Sequence, residues 1–379
     1  MPQYDTVVVG LGAIGSAALR VLAKRGVRVL GIERHALGHD LGSSHGDTRM
    51  IRLGYFEHPS YVPLLRRTYA LWRELEAEAK TRLLHITGIA EIGTPESDVV
   101  AGTLAASRQH GLPHQILGAM TAMKRFPAFR LPDNFVCVVQ LDGGYVVAEA
   151  AMAAMIEQAK TAGAEVWPET AVQSVKSTGR TVRVETSRGE LEAKSVVVAA
   201  GPWIGKLLPN LPLRVTRQVA TWFSPRDPAL LKPGRCPVFL LRSQYGNHYG
   251  FPVVGGGLVK IAKHHHFDET TDPDRVDRKV SAKDEAAIRE AITAFIPAAD
   301  GPLAAAKTCL YTMTPDRDFI VDKMPGAPNV VVASVCSGHG FKFAPVMGEV
   351  LADLATIGDT GHDISRFRLS RFPAATAQP

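Results

Sequence analysis

Long hydrophobic runs, closely spaced cysteines and blocks of like charge are all missing from this 379-residue sequence. Without an apolar run that could cross a bilayer, the sequence predicts no transmembrane helix and no membrane partner. The first predicted strand begins within a few residues of Met1, which leaves no room for a signal peptide. The four cysteines, Cys137, Cys236, Cys309 and Cys336, lack CxxC spacing and are too few for a disulfide scaffold. We therefore expect a cytoplasmic protein in a reducing compartment.

Charge is nearly balanced, because 43 Lys and Arg residues stand against 37 Asp and Glu residues, a net charge of +6. No run of five or more basic residues occurs, so the sequence predicts no nucleic-acid partner. The small positive excess instead favours attraction of an anionic substrate. The histidine triplet at 264–266 predicts one functional histidine but no metal site, because adjacent strand residues point to opposite faces and no Cys or acidic cluster surrounds them.

The chain opens with a strand, a glycine turn and a helix, the pattern of a dinucleotide site. Val7–Val9 forms the buried strand, and a helix is predicted over residues 13–25. Gly10 permits the tight turn, Gly12 lets the backbone approach a pyrophosphate, and Gly15 lets the helix pack closely on the strand. The helix then presents its N–H groups and positive dipole end to the phosphates.

An acidic residue follows these glycines at the spacing that a ribose requires. Glu33 ends the next predicted strand, Val27–Ile32, about twenty residues beyond the glycine turn. Its carboxylate would accept hydrogen bonds from a ribose diol. It would also repel a 2′-phosphate, so NADP is not expected.

Two later strands also end in glycine. Val330–Val335 leads to Gly338 and Gly340 and then to a helix that runs to about residue 357, and a strand over 195–200 leads to Gly201. The first and last glycine turns are more than 300 residues apart, so one cofactor that contacts both must be long. FAD meets this requirement better than NAD.

The remaining pattern predicts an α/β protein (α+β overall) of two domains, each assembled from separated segments. Residues 1–84, 148–212 and 311–379 are predicted to form the FAD-binding domain. Residues 85–147 and 213–310 are predicted to form a substrate domain, since alternating strands after 213 indicate an antiparallel sheet with one solvent-facing side. That sheet would cover the flavin.

Three short motifs resemble the monomeric sarcosine oxidase family. They are Ser43-Ser-His-Gly-Asp-Thr-Arg-Met-Ile-Arg52, Lys307-Thr-Cys-Leu-Tyr-Thr312 and Gly338-His-Gly-Phe-Lys342, in the family's order and spacing. The likeness extends over nearly the whole chain. It implies membership of the D-amino-acid oxidase-like group of FAD-dependent amine oxidoreductases. It also implies a Rossmann-like FAD-binding domain of the glutathione-reductase/D-amino-acid oxidase type, and a monomer.

The resemblance assigns cofactor contacts within these motifs. Cys309 matches the cysteine that carries FAD through a thioether to the flavin 8α-methyl carbon. His45 and Arg49 match residues packed around the flavin ring, and Thr48 matches a residue that supports it. With the glycine turns, the predicted cofactor site comprises Gly10, Gly12, Ala13, Ile14, Gly15, Glu33, Arg34, Ser44, His45, Thr48, Arg49, Val172, Gly201, Trp203, Cys309, Gly338, His339, Gly340, Phe341 and Lys342.

The resemblance also assigns a substrate site. Arg52 and Lys342 match the pair that binds the substrate carboxylate, and two neighbouring cations would favour an anion between them. Lys260 matches the lysine near flavin N5 that speeds oxygen reduction. His264, four residues on and therefore on the same strand face, matches a histidine that contacts the substrate. The predicted catalytic residues are Lys260, His264, Arg52, Lys342, Tyr249, Tyr311 and Arg49.

The implied reaction is oxidation of the C–N bond of a small secondary (N-methyl) amino acid such as sarcosine. Hydride passes to flavin N5, O2 is reduced to H2O2, and the imine hydrolyses to formaldehyde and an amino acid. Phe56, His58 and Leu240 depart from the sarcosine enzyme near the pocket, which leaves the substrate open. The alternatives are a bulkier N-methyl amino acid, a cyclic imino acid such as proline or pipecolate, another amine, or a flavoprotein acting on modified tRNA.

Overall fold

A computed structural model describes residues 2–373 of the chain. Its α-helices are α1 (Ala13–Lys24), α2 (Val62–Ala79), α3 (Asp98–His110), α4 (Ala119–Arg125), α5 (Ala148–Thr161), α6 (Ile204–Leu207), α7 (Ala282–Phe295) and α8 (Ala344–Thr356). Short 3₁₀ turns lie at Pro59–Tyr61, Gly201–Trp203, Pro297–Ala299, Phe341–Phe343, Ser365–Phe367 and Leu369–Arg371. Over residues 2–373, no helix combines the length and the apolar character that crossing a membrane would need.

The strands divide among three sheets. In chain order they are β1 (Tyr4–Val9), β2 (Val29–Ile32), β3 (Thr48–Ile51), β4 (Leu84–Ile86), β5 (Ile89–Gly93), β6 (Gln115–Gly118), β7 (Val136–Gln140), β8 (Gly144–Val147), β9 (Glu165–Trp167), β10 (Val172–Ser177), β11 (Val182–Thr186), β12 (Gly189–Val198), β13 (Arg214–Phe223), β14 (Val238–Ser243), β15 (Gly246–Gly250), β16 (Val259–Lys263), β17 (Leu303–Met313), β18 (Ile320–Met324) and β19 (Ala327–Ser334).

The first sheet has a parallel centre in the order β9-β2-β1-β12-β19. β18 adds antiparallel to β19, and the N-terminal half of β12 pairs antiparallel with β11. Because β1, β12 and β19 are adjacent and parallel, the three glycine turns that follow them meet at one edge of the sheet. This arrangement joins segments from both ends of the chain.

Helices cover one face of this sheet. α1 lies against both α5 and α8, and the α1–α8 contact is close because Gly348 has no side chain. A Cβ atom at Gly348 would lie only 2.7 Å from the carbonyl oxygen of Ala17 in α1. The opposite face packs against the β10–β11 hairpin and α6, with Val184 and Ile204 in the same apolar cluster as Val7.

The second sheet has the order β17-β13-β16-β15-β14-β5-β7-β6. The strands after residue 213 pair antiparallel with one another, which confirms the prediction for that segment. β5 and β14 pair in parallel where the strands from 85–147 join those from 213–310. The expected solvent-facing side is absent over the centre of the sheet. Val219 and Ile261 pack in one cluster with Ile292 of α7, while Lys260 on the opposite face lines an internal cleft.

The third sheet, β3-β8-β4, is small and antiparallel. The layered arrangement as a whole confirms the predicted α/β (α+β) class. β17 runs without a break to Met313, so the predicted division at 310/311 falls inside a strand of the second sheet. The predicted helix 13–25 is observed as Ala13–Lys24, and the predicted terminal helix begins only after the 3₁₀ turn Phe341–Phe343.

Candidate active site

One long cleft lies between the C-terminal edge of the first sheet and the inner face of the second. Its wall contains every predicted site residue except Gly15 and Thr48. The members it brings together are Gly10, Gly12, Ala13, Ile14, Glu33, Arg34, Ser44, His45, Arg49, Arg52, Val172, Gly201, Trp203, Tyr249, Lys260, His264, Cys309, Tyr311, Gly338, His339, Gly340, Phe341 and Lys342. Gly10 and Lys342, from opposite ends of the chain, therefore share one surface.

The glycine turn after β1 is shaped by backbone contacts that exclude side chains. Gly10 has a φ of +90°, and a Cβ there would lie 2.7 Å from the carbonyl oxygen of Ala199. A Cβ at Gly15 would lie 1.7 Å from the oxygen of Gly10. Gly15 therefore allows α1 to pack closely against the turn, although it does not line the cleft. Ser44 Oγ accepts a hydrogen bond of 3.2 Å from the Ala13 amide at the start of α1.

Glu33 is buried beside this turn. Its Oε2 accepts a 2.8 Å hydrogen bond from the Leu11 amide, and its Oε1 accepts one of 3.0 Å from the His35 amide. Burial opposes ionisation of Glu33, but these amides and His39 outweigh it and hold the pKa of Glu33 below its usual value. A fixed carboxylate therefore faces the cleft where a ribose acceptor was expected.

Several buried polar atoms in the cleft wall have no hydrogen-bond partner within residues 2–373. Those nearest the glycine turns are both ring nitrogens of His45, Oγ1 of Thr312 and Oγ of Ser334, and Nε of Arg52 and Oδ1 of Asn247 are unpaired as well. Buried polar groups in native proteins are nearly always paired, so these atoms indicate a polar ligand. The glycine cradle, the fixed carboxylate and these atoms together fit a long dinucleotide cofactor such as FAD.

The loop that carries His45 is tied together by two basic side chains. Arg49 donates to the carbonyl oxygens of Thr48 at 2.9 Å and of Ser43 at 3.0 Å. Lys260, from the second sheet, donates to the Thr48 oxygen at 2.9 Å and to that of Gly46. Burial and the neighbouring Arg49 lower the pKa of Lys260 well below its usual value, while its carbonyl acceptors favour the ammonium form. Thr48 thus takes part through its backbone, outside the cleft wall.

Arg52 is held by groups of the protein itself. Its Nη2 donates to both oxygens of Glu57, at 2.9 and 2.7 Å, and its Nη1 donates to the Gly54 carbonyl at 2.9 Å. Its guanidinium carbon lies 4.3 Å from the ring centre of Tyr55 and 4.7 Å from that of Phe56. Glu57 therefore balances the charge of Arg52 within the protein, and carboxylate binding by the pair stays a prediction.

Lys342 completes this basic pair. Its Nζ donates to the His339 carbonyl oxygen at 2.6 Å and lies 3.5 Å from the Tyr55 hydroxyl. Burial, with Arg52 beside it, lowers the pKa of Lys342 to about 7. A carboxylate that entered the cleft would stabilise the charged form of this lysine.

Glu91 is a buried acid that sequence reasoning missed. It is 0% exposed, its Oε1 lies 3.7 Å from Arg52 Nε, and neither oxygen has a hydrogen-bond partner among the described residues. Burial raises the pKa of Glu91 to about 8, although Arg52 opposes the shift. The sequence signal that could have identified Glu91 is the presence of an acidic residue within an otherwise apolar strand, β5.

Aromatic rings and His264 form the other end of the cleft. Nδ1 of His264 lies 3.3 Å from the Tyr311 hydroxyl, and a Cβ at Gly338 would lie 2.6 Å from the His264 ring. Burial and His265 lower the pKa of His264 well below its usual value, so the imidazole is neutral. Leu240 stands opposite Tyr249 across β14 and β15. The last glycine turn therefore touches the aromatic pocket directly.

Two residues singled out from the sequence lie elsewhere. His58 is outside the cleft wall and accepts a 3.1 Å hydrogen bond from the Ser60 amide at the start of a 3₁₀ turn. Within the histidine triplet, His266 turns away from the cleft and pairs with Asp284 at 2.8 Å. Among residues 2–373, no cluster of His, Cys, Asp or Glu could hold a metal ion.

The parallel glycine-turn sheet, with a second sheet closing over it, defines a two-layer flavoprotein oxidoreductase. The profile of the FAD dependent oxidoreductase (DAO) family matches residues 5–354. The chain therefore belongs to this family of FAD-dependent enzymes, which confirms the predicted cofactor class.

Individual relatives are similar over nearly their full length. A monomeric sarcosine oxidase from Streptomyces avermitilis is 38% identical over 383 residues, which cover 99% of this chain and 100% of that protein. An N-methyl-L-tryptophan oxidase from Salmonella typhi is 35% identical over 372 residues, covering 98% and 99%. The solved structure of NikD, described as an unusual amino acid oxidase essential for nikkomycin biosynthesis, has a TM-score of 0.84 at 28% identity and covers 96% and 97%. These relatives confirm the predicted resemblance.

Replacing Glu91 by Gln should stabilise the protein more at alkaline than at acidic pH. Above its usual value of 4.5, Glu91 ionises in the unfolded chain, whereas in the folded protein it keeps its proton up to a pKa of about 8. Stability is therefore lost as pH rises from 4.5 to about 8, by several kcal/mol at roughly 1.4 kcal/mol per pKa unit. Glutamine cannot ionise, so the unfolding temperature of Glu91→Gln should lie above that of the unsubstituted protein, with the largest difference at about pH 9.

The control for this prediction is Glu96→Gln at an exposed position. Its effect on the unfolding temperature should be small and the same at about pH 5 and about pH 9. An effect of Glu91→Gln that is the same at about pH 5 and about pH 9 would show that Glu91 is ionised in the folded protein at both pH values. This result would contradict the raised pKa of Glu91.

Proposed function

We propose that this protein oxidises the C–N bond of a small secondary amino acid such as sarcosine, with O2 as electron acceptor. One observation carries the proposal: two buried cations, Arg52 and Lys342, lie in the same cleft as a neutral His264 and an aromatic wall. A carboxylate at the cations would place the rest of a small amino acid beside the aromatic groups. The sarcosine and N-methyl-L-tryptophan oxidases among the relatives support the same substrate class.

The cofactor and the protein divide the chemistry. FAD, when bound, supplies the acceptor for hydride from the carbon next to nitrogen and passes the electrons to O2, which yields H2O2. The glycine turn at Gly10 and Gly12 would hold the pyrophosphate, and Glu33 would accept hydrogen bonds from a ribose. The side chains around the substrate contribute orientation and electrostatics.

A substrate carboxylate would share Arg52 with Glu57. Both oxygens of Glu57 accept hydrogen bonds from Nη2 of Arg52, so the substrate either replaces that contact or uses Nε, which has no hydrogen-bond partner among residues 2–373. Lys342 provides the second contact and gains a proton more readily once an anion is present. The neutral imidazole of His264 can accept a hydrogen bond from the substrate nitrogen, which must lose its proton before it can assist hydride transfer.

We propose the following organisation for the chain. Residues 1–84, 148–212 and the segment after Met313 bind FAD, and residues 85–147 and 213–313, which include the whole of β17, cover it and supply the substrate pocket. The covering segments supply Tyr249, Lys260 and His264. We also propose a cytoplasmic monomer; the monomeric state is in keeping with the names of the sarcosine oxidase relatives.

A bulkier N-methyl amino acid is the second candidate substrate. It is favoured by the N-methyl-L-tryptophan oxidases at 34–35% identity, a similarity close to that of the sarcosine oxidases. Phe56 and Leu240 both line the cleft and would limit the size of a substrate side chain. The space that these two residues leave therefore decides between the two candidate substrates.

Anaerobic addition of sarcosine to the purified protein tests the proposed function. The flavin absorbance should bleach and then return when air is admitted, with H2O2 formed in proportion. Bleaching by N-methyl-L-tryptophan but not by sarcosine would favour the second candidate. A flavin band that resists every secondary amino acid, cyclic ones included, would contradict the proposal.

We propose that Cys309 carries the flavin through a thioether. Cys309 is buried in the cleft wall, where burial raises the pKa of its thiol while Arg49 and Lys260 oppose that rise. Cys336 lines the same cleft, but its sulfur accepts a 3.4 Å hydrogen bond from the Thr312 amide. Positive charge beside Cys309 favours the thiolate that such a bond requires.

Acid precipitation of two cysteine variants distinguishes these thiols. Cys309→Ala should release its flavin into the supernatant, whereas Cys336→Ala should retain it in the protein pellet. The reverse pattern would place the bond at Cys336. Release of flavin from the unsubstituted protein would contradict covalent attachment altogether.

Lys260→Met should slow the reaction with oxygen more than the reaction with substrate. A fixed cation stabilises the negative charge that oxygen gains on reduction, and its loss removes this stabilisation. Stopped-flow absorbance measures both half-reactions separately. Lys263→Met, from the same strand but outside the cleft wall, is the matched control. Equal slowing of both half-reactions in Lys260→Met would contradict the assigned role.

A further inference from the structure

The side chain of Asn247 is a buried amide with an unused acceptor. Asn247 is 7% exposed, and its Oδ1 has no hydrogen-bond partner within residues 2–373. The residue lines the cleft. Leaving such a group unpaired is unfavourable, so native proteins almost always provide a partner.

The surrounding strands offer no such partner. On β15, Asn247 and Tyr249 face the cleft, while His248 between them points away and lies 3.4 Å from the Ala287 oxygen. Arg242 stands opposite Asn247 on β14, but its Nε is 3.2 Å from Asp98. Leu240, opposite Tyr249, is apolar. The missing donor must therefore come from within the cleft.

The position of Asn247 separates it from the cofactor cradle. The unpaired atoms of His45 and Ser334 lie on the glycine-turn side, on the 43–49 loop and β19. Thr312 lies on β17 of the second sheet, but its carbonyl oxygen accepts a 2.9 Å hydrogen bond from the Ser337 amide beside the last glycine turn. Asn247 instead adjoins His264, whose amide donates a 2.7 Å hydrogen bond to the Asn247 carbonyl oxygen. It thus belongs to the part of the cleft that the proposed function assigns to the substrate.

We propose that Asn247 determines specificity by accepting a hydrogen bond from the side chain of the substrate. This inference rests on the proposed function and narrows it: the preferred substrate is an N-methyl amino acid whose side chain carries an O–H or N–H donor. Leu240 and Phe56 line the same cleft with apolar side chains. A site with a buried polar group rejects the analogue that lacks its partner, because the group is then left unpaired.

Two matched substrate pairs test this inference. N-methyl-L-serine is compared with N-methyl-L-alanine, and N-methyl-L-glutamine with N-methyl-L-leucine, so that short and long donors are both presented. For the unsubstituted enzyme, kcat/KM should favour the polar member of at least one pair by about tenfold or more. Equal rates within both pairs would overturn the inference, because water alone would then suffice as partner of Asn247.

Two variants connect the preference to this residue. Asn247→Leu keeps the approximate size but removes the acceptor, and should reduce the polar-to-apolar ratio by about tenfold. Asn247→Asp keeps an acceptor oxygen and should retain the preference. A ratio unchanged in Asn247→Leu would contradict the assignment, and an intact flavin spectrum in each variant verifies its fold.

Sarcosine separates failure of this inference from failure of the proposed function. Sarcosine has no side chain and so does not report on Asn247 recognition. If the unsubstituted enzyme oxidises sarcosine and both members of each pair equally, only the role of Asn247 is contradicted. If it oxidises none of these compounds, the proposed function itself is contradicted.

Discussion

The parallel register of three valine strands is the constraint on which the rest of the structure depends. Val7–Val9 pairs with Val196–Val198, which pairs in turn with Val330–Val332. This register brings three glycine turns, from distant parts of the chain, to one edge of the sheet. A slip of one residue would reverse the faces of the strands and separate the turns. The second sheet is joined to the same edge, because Lys260 of β16 donates hydrogen bonds to the carbonyl oxygens of Gly46 and Thr48 in the loop beside the glycine turns.

The cleft, together with the buried Glu91 next to Arg52, brings together more ionisable groups than a buried site usually tolerates. Arg52 and Glu57 compensate each other as an ion pair, whereas burial moves the pKa of Lys342 down to about 7 and that of Glu91 up to about 8. Each of these two groups can therefore lose its charge near neutral pH, which avoids the cost of an unpaired buried ion. The region can then gain or lose a proton when a carboxylate enters. Proton exchange and substrate binding are linked through the same side chains.

Local constraints could be predicted from the sequence, and tertiary ones could not. The roles of Gly10 and Gly15 follow from backbone geometry within one turn, and Ala13–Lys24 closely matches the helix predicted over residues 13–25. The parallel pairing of β5 with β14 depends on how two distant segments meet, which periodicity does not encode. The same is true of the contact between Arg52 and Glu91 and of the unpaired amide of Asn247. Each requires knowledge of which strand faces the cleft.

A crystal structure with methoxyacetate, in which an ether oxygen replaces the amine of sarcosine, would test the central claim most directly. This compound keeps the carboxylate but cannot be oxidised through nitrogen. The account predicts that its carboxylate lies within hydrogen-bond distance of both Arg52 and Lys342, with the contact between Arg52 and Glu57 altered. A carboxylate bound elsewhere, with Arg52 still joined to Glu57 through both oxygens, would contradict the assignment of the substrate site.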